Sequence, residues 1–501
     1  MITENVLCRS DMIRCVLCTD APCTSVCTRL DPASILRSIW FDNEKCAAAK
    51  LPDTNPCIEC SAPCETACLR CGQVPVRELI DRMYDEIRPA LDAAAPQNEE
   101  RLKTSICGVP LENPFLLSSS AVSATYDMCA RAFEAGWAGA AFKTISTFDV
   151  HEASPRFSAI YGNDGAITGF KNIEQLSDHS VEENMAVFRQ LKENYPSKVL
   201  IASIMGQNEA EWEQLAAECE ANGADIIELN FSCPHLTDKG YGSDIGQDAE
   251  AVRRFTAAAR RGTQLPILAK LTPNVNTMVP MAQAAREAGA NGIAAINTIK
   301  SVTNVNPHTY VSAPAVHGRS SFGGYSGLAV KPIALRFIAE MRMEKELSDM
   351  ELSAMGGIET WLDALEYILM GANSLQVTTA VMQYGYRIID DLKAGLNYYM
   401  AEKGIRHIAD LVGEGIDSLS ANPDHLEKDS VLFPRFMQDR CIGCGRCVVS
   451  CADGGHQALH LNNDRRPVLD GKKCVGCHLC ILVCPQKAIR PSSTRIIRNP
   501  Q

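Results

Sequence analysis

Between about residues 103 and 400, short runs of apolar residues alternate with amphipathic stretches of helical periodicity. This alternation is typical of repeated βα units that build a parallel sheet. Eight strands are predicted in this segment, at 114–120, 139–144, 199–205, 225–232, 266–272, 292–298, 351–357 and 374–380. Eight such units predict an α/β fold of the TIM (β/α)8 barrel type over residues 103–405, with an open doubly wound sheet as the alternative.

A glycine marks the end of each of four predicted helices. The pairs are Ala135-Gly136, Asn222-Gly223, Ala288-Gly289 and Met370-Gly371, and a predicted strand follows each of them. Glycine suits this position because it adopts the left-handed conformation that closes a helix. The sequence contains no Gly-x-Gly-x-x-Gly motif, so no Rossmann dinucleotide domain is predicted.

The length and charge of the chain narrow the class of protein. With 501 residues the chain is too long for one core, so several domains are expected. No apolar run reaches the roughly 18 residues that a membrane helix needs, and Met1–Arg9 lacks the pattern of a secretory signal. The net charge of −12 argues against a nucleic-acid partner, which requires a basic face. We therefore expect a cytoplasmic protein that binds neither membranes nor nucleic acid.

The 23 cysteines are concentrated at the two ends of the chain. Five lie between Cys8 and Cys27, six between Cys46 and Cys71, and eight between Cys441 and Cys484. A disulfide-stabilised protein would be short, secreted and evenly cross-linked. Clusters of cysteines around a cysteine-poor middle instead predict metal binding in a reducing compartment.

The C-terminal cysteines repeat one spacing twice. Cys-x2-Cys-x2-Cys-x3-Cys is the spacing of two-cluster bacterial ferredoxins, in which the fourth cysteine of each repeat binds the other cluster. The spacing predicts a ferredoxin-like domain over 430–501 with two [4Fe–4S] clusters; a pair of zinc knuckles is the alternative. The first predicted ligand set is Cys441, Cys444, Cys447 and Cys484, and the second is Cys474, Cys477, Cys480 and Cys451.

The N-terminal cysteines form two further groups within a predicted helical domain, residues 1–88. The groups are Cys15, Cys18, Cys23 and Cys27, then Cys60, Cys64, Cys68 and Cys71. Between them, Asp31-Pro32 is a typical helix start. Eight thiolates suffice for two more [4Fe–4S] clusters, with zinc as the alternative. Cys8, Cys46 and Cys57 are interpreted as ordinary thiols.

Polar residues and glycines stand at the carboxyl ends of the predicted barrel strands. Active sites of this fold lie at that rim, and phosphate is bound by the loops after the seventh and eighth strands. Glycine amides in such loops can approach a phosphate closely. The rim residues are Ser118, Ser119, Lys143, Asn230, Cys233, Lys270, Asn297, Thr298, Gly356, Gly357, Thr378 and Thr379, and Gly323–Gly327 precede the last four of them in the chain.

Several motifs of the barrel carry a family resemblance. They are Phe142-Lys143-Thr144, Lys171-Asn172-Ile173-Glu174, Glu228-Leu229-Asn230-Phe231-Ser232-Cys233-Pro234-His235, Ala269-Lys270-Leu271-Thr272-Pro273-Asn274 and Ile296-Asn297-Thr298. With the ferredoxin-like segment, this set resembles the dihydropyrimidine dehydrogenase family, most closely its bacterial FMN-containing subunits, and more distantly the class 1 dihydroorotate dehydrogenases. The N-terminal cysteine spacing resembles the module found in dihydropyrimidine dehydrogenase and in the glutamate synthase small subunit.

The resemblance implies a reaction and the roles of site residues. Hydride passes between N5 of FMN and C6 of a pyrimidine base, and Cys233 is the general acid or base at C5. The base is held by Asn172, Glu174, Asn230, Asn297 and Thr298, and FMN by Ser118, Ser119, Lys143, Lys270, Asn297, Gly327, Gly356, Gly357, Thr378 and Thr379. The alternatives are a structural thiol at 233, a helix cap at 172, a solvated carboxylate at 174 and structural ion pairs for the two lysines. The stretch 234–249 is expected to close over the substrate.

The resemblance also implies which N-terminal cysteines act together. One cluster takes Cys15, Cys18, Cys23 and Cys71, and the other takes Cys27, Cys64 and Cys68. For the fourth ligand of the second cluster, Cys60 competes with an oxygen donor, Glu78 or Asp81.

The chain also departs from the family. Residues 88–102 form only a short linker where the long animal-type enzymes insert FAD and NADPH domains. We therefore expect electrons from a separate FAD- and NAD(P)H-binding flavoprotein or a ferredoxin, and a homodimeric or hetero-oligomeric assembly. Two other hypotheses stay open: orotate or another cyclic enamide as substrate, and a non-catalytic electron-relay subunit.

Overall fold

The computed structural model describes residues 15–70, 74–87, 98–162, 165–232 and 242–497. The chain divides into two compact units, Met1–Ser418 and Leu419–Gln501. The first unit combines a small set of N-terminal helices with a barrel, and the second is a separate unit built around the C-terminal cysteines.

The strands are numbered in chain order. They are β1 (Thr104–Ile106), β2 (Val109–Leu111), β3 (Phe115–Leu117), β4 (Gly139–Ala141), β5 (Ile145–Ser146), β6 (Phe157–Tyr161), β7 (Ile167–Asn172), β8 (Val199–Met205), β9 (Ile226–Asn230), β10 (Ile267–Lys270), β11 (Gly292–Ala295), β12 (Ile299–Ser301), β13 (Gly323–Ser326), β14 (Glu351–Met355), β15 (Ser374–Val377), β16 (Ser430–Val431), β17 (Pro434–Phe436), β18 (Leu459–Leu461), β19 (Pro467–Leu469), β20 (Ile489–Pro491) and β21 (Ile496–Ile497).

The α-helices are numbered in the same way. They are α1 (Pro22–Val26), α2 (Pro32–Trp40), α3 (Glu44–Ala49), α4 (Pro63–Thr66), α5 (Val76–Arg82), α6 (Tyr126–Ala135), α7 (Val181–Asn194), α8 (Glu209–Ala221), α9 (Ala249–Gly262), α10 (Val279–Glu287), α11 (Lys331–Met343), α12 (Trp361–Leu369), α13 (Thr379–Tyr384), α14 (Ile388–Lys403), α15 (Arg446–Gly454) and α16 (Leu479–Leu482).

Eight parallel strands form a closed barrel. Their order is β4-β3-β15-β14-β11-β10-β9-β8, and pairing of β4 with β8 closes the sheet, with Gly139 opposite Val199. These are the eight predicted strands, so the (β/α)8 prediction is confirmed and an open sheet is excluded. The strands are shorter than predicted at most of their carboxyl ends because the chain leaves the sheet there to form the rim.

The glycines predicted to end four helices do so. Gly136, Gly223, Gly289 and Gly371 all have positive φ angles, between 97° and 105°. A residue with a side chain would be strained in that conformation, whereas glycine is not. Each of these turns leads into a barrel strand, so the four glycines set the point at which a helix gives way to the sheet.

A second, antiparallel sheet was not predicted from the sequence. We call it the cap sheet, with the strand order β12-β13-β7-β6. Its strands lie in the connections that follow β5 and β11, and they lack continuous apolar runs; β6, for example, has no buried residue. The cap sheet therefore has no strong periodic signal, although it contributes several residues to the site described below.

The N-terminal helices pack against the last helix of the barrel. Pro32 opens α2, and the Asp31 side chain accepts a hydrogen bond from the Ser34 amide, so the predicted helix start is confirmed. A small apolar core of its own, including Ile35, Ile39 and Leu79, holds α2, α3 and α5 together. We call residues 15–87 the N-terminal module.

One buried carboxylate on α14 joins the module to the barrel. Asp391 is 1% exposed; its carboxylate accepts from Arg37 Nε at 2.8 Å and from Ser38 Oγ at 3.0 Å. Its backbone carbonyl accepts from Asn43 Nδ2 at 3.2 Å. Because every donor belongs to the module and the acceptor to the barrel, this network fixes the two parts as one unit.

The C-terminal unit is small and contains three antiparallel strand pairs. They are β16 with β21, β17 with β20, and β18 with β19. Helix α15 carries Cys447 and Cys451, and helix α16 carries Cys480. In the described part of the chain, no helix is long and apolar enough to cross a membrane.

We predict that Asp391→Ala loosens the N-terminal module from the barrel. Removing one partner of a buried pair leaves the other charge without compensation, which costs about 3–5 kcal/mol. Proteolytic cleavage within the module should therefore accelerate on the order of 100-fold or more, because 1.4 kcal/mol is about tenfold.

The matched control is the neighbouring residue. Asp390 lies 3.7 Å from the same Arg37 guanidinium, but its side chain is 65% exposed. Asp390→Ala should therefore change the free energy of opening the module by less than about 1 kcal/mol, and the cleavage rate correspondingly little. Equal cleavage rates for the two variants would contradict the assignment.

Candidate active site and metal centres

A cleft opens at the carboxyl ends of the barrel strands, beneath the cap sheet. We call it the rim cleft; it encloses about 1120 Å³ of space, part of it open to solvent. Apart from Cys233, every residue that the resemblance assigns to the base or to FMN lines it: Ser118, Ser119, Lys143, Asn172, Glu174, Asn230, Lys270, Asn297, Thr298, Gly327, Gly356, Gly357, Thr378 and Thr379. Sequence positions far apart are therefore brought to one place, as expected for a barrel rim.

Cys233, the predicted general acid, lies outside the described residues, as does the stretch to Tyr241. The chain just before it is firmly held: Asn230 Oδ1 accepts from both the amide and the hydroxyl of Ser232, at 3.1 and 2.9 Å. After it, Gly242–Gln247 form a 3-10 helix in which Ile245 is buried. The role of Cys233 therefore remains a prediction.

An ion pair is buried inside the barrel at the base of the rim cleft. Lys270 Nζ lies 3.1 Å from Glu228 Oε1, and the two side chains are 3% and 0% exposed. Gln376 Nε2 donates to the other carboxylate oxygen at 3.0 Å, and Lys270 also donates to Ser118 Oγ at 3.3 Å. Lys270 thus has the anionic partner that a buried lysine requires.

A second cluster of charges surrounds Lys143. Its ammonium lies 3.0 Å from Glu174 Oε1 and 3.6 Å from Glu152 Oε1, and Arg156 lies 3.5 Å from Glu174. The Glu174 side chain is only 12% exposed, so it is not the solvated carboxylate of the alternative interpretation. Both rim lysines are therefore held in ion pairs while they also line the cleft.

The amide side chains of the cleft are oriented by neighbouring hydroxyl groups. Asn230 Nδ2 donates to Thr144 Oγ1 at 2.9 Å, and Asn297 Nδ2 donates to Ser232 Oγ at 2.6 Å. Each amide nitrogen has two N–H groups, so each orienting bond uses only one. The arrangement presents fixed donors and acceptors to a neutral polar ligand.

The cap sheet supplies residues that the sequence did not suggest. Phe157, Phe170 and Tyr325 line the cleft from this sheet, and Asn172 ends β7 rather than capping a helix. An aromatic wall over a polar floor suits a flat heterocycle.

Gly323 and Gly324 do not belong to a phosphate-binding loop, contrary to the expectation. They lie in β13, and a Cβ on Gly324 would stand 2.1 Å from Thr298 Oγ1. Glycine is required there because β13 packs closely against the rim.

Three loops converge on one side of the cleft. Thr379 Oγ1 donates to Ser326 Oγ at 3.0 Å, and a Cβ on Gly357 would lie 2.8 Å from the Gly327 carbonyl. Gly356 and Gly357 have φ angles of +123° and +74°, which glycine adopts without strain. The loops after β14 and β15 thus form a backbone-lined cradle, and α13 begins there at Thr379.

The C-terminal cysteines line two cavities. One contains Cys441, Cys444, Cys447 and Cys484, and the other contains Cys451, Cys474, Cys477 and Cys480. These are the two sets that the spacing predicts, including the exchange of the fourth cysteines. Backbone amides donate to three of the sulfurs, for example Ala488 N to Cys484 Sγ at 3.3 Å.

The N-terminal cysteines also form two groups. The first, N-terminal site 1, comprises Cys15, Cys18, Cys23 and Cys68, which line one cavity. Burial raises the pKa of Cys15, and the nearby thiols of Cys23, Cys18 and Cys68 add to this shift. Cys71, expected in this set, lies outside the described residues, and Cys68 occurs here rather than in the other set.

The second group, N-terminal site 2, comprises Cys27, Cys57, Cys60 and Cys64. Cys64 lines both N-terminal cavities, and it is grouped here because the other cavity has four further cysteines. Among the described residues, no three His, Cys, Asp or Glu side chains converge on a single-ion site.

Three barrel cysteines have a structural role. Burial raises the pKa of Cys107 and Cys129 to about 12 each, and also raises the pKa of the fully buried Cys219. These thiols stay protonated near neutral pH, and they do not line the rim cleft.

The residues missed from the sequence are mostly polar side chains inside barrel strands. Glu228 and Gln376 lie within the apolar runs 225–232 and 374–380, and Thr144 ends another. A charged or amide residue in an otherwise apolar strand is costly to bury without a partner. The presence of such residues in apolar runs is therefore the signal that could have identified them. Glu152 had no such signal because it lies in a loop.

Comparison with known proteins identifies two families of domain. A model described as dihydroorotate dehydrogenase matches residues 101–400, and a model described as a 4Fe-4S dicluster domain matches residues 435–490. The NAD-dependent dihydropyrimidine dehydrogenase subunit PreA of Escherichia coli K12 is 51% identical over 365 residues, which is 73% of this chain and 89% of the relative.

More distant relatives follow the same pattern. The chloroplastic dihydropyrimidine dehydrogenase (NADP(+)) of Arabidopsis thaliana is 35% identical, over 67% of this chain and 82% of its own. The catalytic subunit of dihydroorotate dehydrogenase B (NAD(+)) of Pyrococcus furiosus is 34% identical, over 62% of this chain and 98% of its own. A solved structure of dihydroorotate dehydrogenase from Eimeria tenella in complex with ferulenol shares the fold, with a TM-score of 0.52 and 18% identity. The match covers 63% of this chain and 89% of the Eimeria chain.

We predict that Glu228→Ala destabilises the barrel by about 3–5 kcal/mol, because it leaves the Lys270 ammonium buried without a counter-charge. Denaturant unfolding followed by the fluorescence of the buried Trp137 and Trp212 measures the change. Glu213→Ala is the control: its carboxylate pairs with Arg261 at 2.8 Å but is 44% exposed, so about 1 kcal/mol or less is expected. A loss as small as the control's would contradict the buried-pair argument.

Proposed function

The chain belongs to the dihydroorotate dehydrogenase family and to its dihydropyrimidine dehydrogenase members, and we propose from this premise that it interconverts uracil or thymine with the 5,6-dihydro form. Enzymes of this kind are oxidoreductases that act on CH–CH bonds. The observation that carries the proposal is the rim cleft itself, in which Asn172, Asn230, Asn297 and Thr298 face one space. Amide and hydroxyl groups match a neutral base whose edge alternates donors and acceptors.

The charges of the cleft support a neutral base over orotate. Among the described lining residues there is no arginine, and both lysines are paired with glutamates. A carboxylate-bearing substrate would need a cation that is free to pair with it. The dihydroorotate dehydrogenase activity of the Pyrococcus relative is therefore the weaker candidate.

The cleft suits FMN. The cradle formed by Gly327, Gly356, Gly357 and Thr379 would hold the phosphate, because glycine backbones and a helix start favour anions. Gln376 Oε1 is buried and has no hydrogen-bond partner among the described residues, so it can accept from a ring N–H. Lys270 and Ser118 would lie along the ring. When bound, FMN supplies hydride exchange with C6 of the base.

In this proposal the chain's own residues handle the proton. Cys233 follows the rigid segment Asn230–Ser232 and would give a proton to C5 of the base, or remove it in the reverse direction. An ordinary thiol has a pKa near 8.5, so it is mostly protonated at neutral pH and able to donate. The aromatic wall of Phe157, Phe170 and Tyr325 would cover the base and exclude water.

Electrons would travel through iron–sulfur clusters. The dicluster domain match supports the two C-terminal clusters, and we propose two more in the N-terminal module, giving four. The name of the Escherichia coli relative describes it as one subunit of an NAD-dependent enzyme. By analogy, a separate FAD- and NAD(P)H-binding flavoprotein or a ferredoxin would supply this chain, in a homo- or hetero-oligomer.

We expect dihydrouracil to bleach the flavin absorbance of the anaerobic wild-type protein, and dihydroorotate to leave it unchanged. Cys233→Ala should slow the bleaching by about 100-fold or more, the contribution of a positioned acid or base. Cys107→Ala, which removes a thiol away from the cleft, should match the wild type. Bleaching by dihydroorotate alone would favour the dihydroorotate activity, and none with either substrate would favour an electron-relay subunit.

We also expect the purified chain to reduce uracil with an artificial one-electron donor but not with NADH or NADPH. The reason is that the sequence carries no dinucleotide-binding motif of the Rossmann type. Rapid turnover with either nucleotide, in the absence of any added protein, would contradict the need for a separate electron donor.

A further inference from the structure

N-terminal site 2 contains a thiol that the sequence does not suggest. The resemblance implies Cys27, Cys64 and Cys68, with Cys60 or an oxygen donor as the fourth ligand, but Cys68 lines the other cavity, and Cys57, a residue that is 9% exposed, lines this one. Cys57 had been interpreted as an ordinary thiol.

The two oxygen donors considered for this site are placed elsewhere. Glu78 is exposed at the start of α5. Asp81 accepts a hydrogen bond from Asn55 Nδ2 at 2.6 Å. Neither carboxylate residue is among those that line the cavity, whereas Cys57 is.

Asn55 explains why Cys57 lines the cavity and why Asp81 does not. Its Oδ1 accepts from the Cys57 amide at 2.9 Å, while its Nδ2 engages Asp81. The Cys60 amide donates to the Cys57 carbonyl at 3.1 Å, so the two cysteines lie on one tight turn. A turn held in this way presents two thiols to the same cavity, and the amide of Asn55 engages the Asp81 carboxylate.

The size and charge of the cavity suit a cluster with four thiolates. Its empty space is about 360 Å³, equal to the 360 Å³ of the C-terminal cavity lined by Cys451, Cys474, Cys477 and Cys480. Arg29 and Arg77 also line it, and they are held by hydrogen bonds to the carbonyls of Pro56 and Cys60, at 2.7 and 3.1 Å. Two guanidinium groups offset the negative charge that a fourth thiolate adds.

We infer that Cys57 is the fourth ligand of the second N-terminal cluster, which makes N-terminal site 2 an all-cysteine [4Fe–4S] site formed by Cys27, Cys57, Cys60 and Cys64. This inference rests on the proposed binding of clusters by the N-terminal module. In this arrangement Asp81 supports the turn at Asn55, and Cys68 is a ligand of N-terminal site 1.

The test compares the iron content and Mössbauer spectra of anaerobically purified, ⁵⁷Fe-labelled full-length protein. Wild type should carry about sixteen iron atoms per chain, four for each cluster. Cys57→Ala should lose between one and four of them, since a cluster without its fourth thiolate sheds one iron or is lost. Asp81→Asn should keep the wild-type content, as should Cys46→Ala, which removes an equally buried thiol of the same module.

Cys57→Ser keeps the inference testable if Cys57→Ala fails to fold. A serine oxygen in place of sulfur should change the Mössbauer signal of one iron site while most of the iron is retained. Wild-type iron content and spectra in both Cys57 variants, or loss of iron in Asp81→Asn, would overturn the inference and leave the proposed function intact. A wild-type protein with only about eight iron atoms would overturn the proposed N-terminal clusters, and this inference with them.

Discussion

Pairing between β4 and β8 is the constraint on which the rest of the first unit depends. It closes the sheet, so that eight strands of similar direction end on one rim. Residues from Ser118 to Thr379 therefore meet in one cleft although more than half of the chain separates them. The cap sheet can cover this cleft because its strands lie in connections that leave the same rim.

Closure also explains why charges occur inside the barrel. Glu228 and Lys270 lie on neighbouring strands, and both side chains point inward. In a water-free interior each charge requires the other. Gln376 and Ser118 use the remaining hydrogen-bonding positions, so the floor of the cleft is polar and also rigid. A fixed polar floor is the kind of preorganised surroundings that flavin chemistry requires.

Strands and helix ends, which depend on local sequence pattern, could be predicted from the sequence. Side-chain pairs that depend on strand register could not. Continuous apolar runs revealed all eight barrel strands, and glycines revealed the ends of four helices. The pairing of Lys270 with Glu228 was not predicted, because only the register of β9 and β10 brings these residues together. Among the cysteines, the repeated C-terminal spacing gave the same two sets as the structure. In the N-terminal module the resemblance groups Cys64 with Cys68, whereas in the structure Cys64 lines both cavities and Cys68 lines only that of N-terminal site 1.

The contact of Asp391 with Arg37, Ser38 and Asn43 has a kinetic consequence. An electron carrier that is a separate protein must find its enzyme by diffusion, and the rate then varies with concentration and with salt. Here the module and the barrel share one chain and a buried contact, so they meet without any encounter step. With the proposed clusters bound in the module, electron transfer within this unit would be first order, with the same rate in a dilute cell extract as in a concentrated solution.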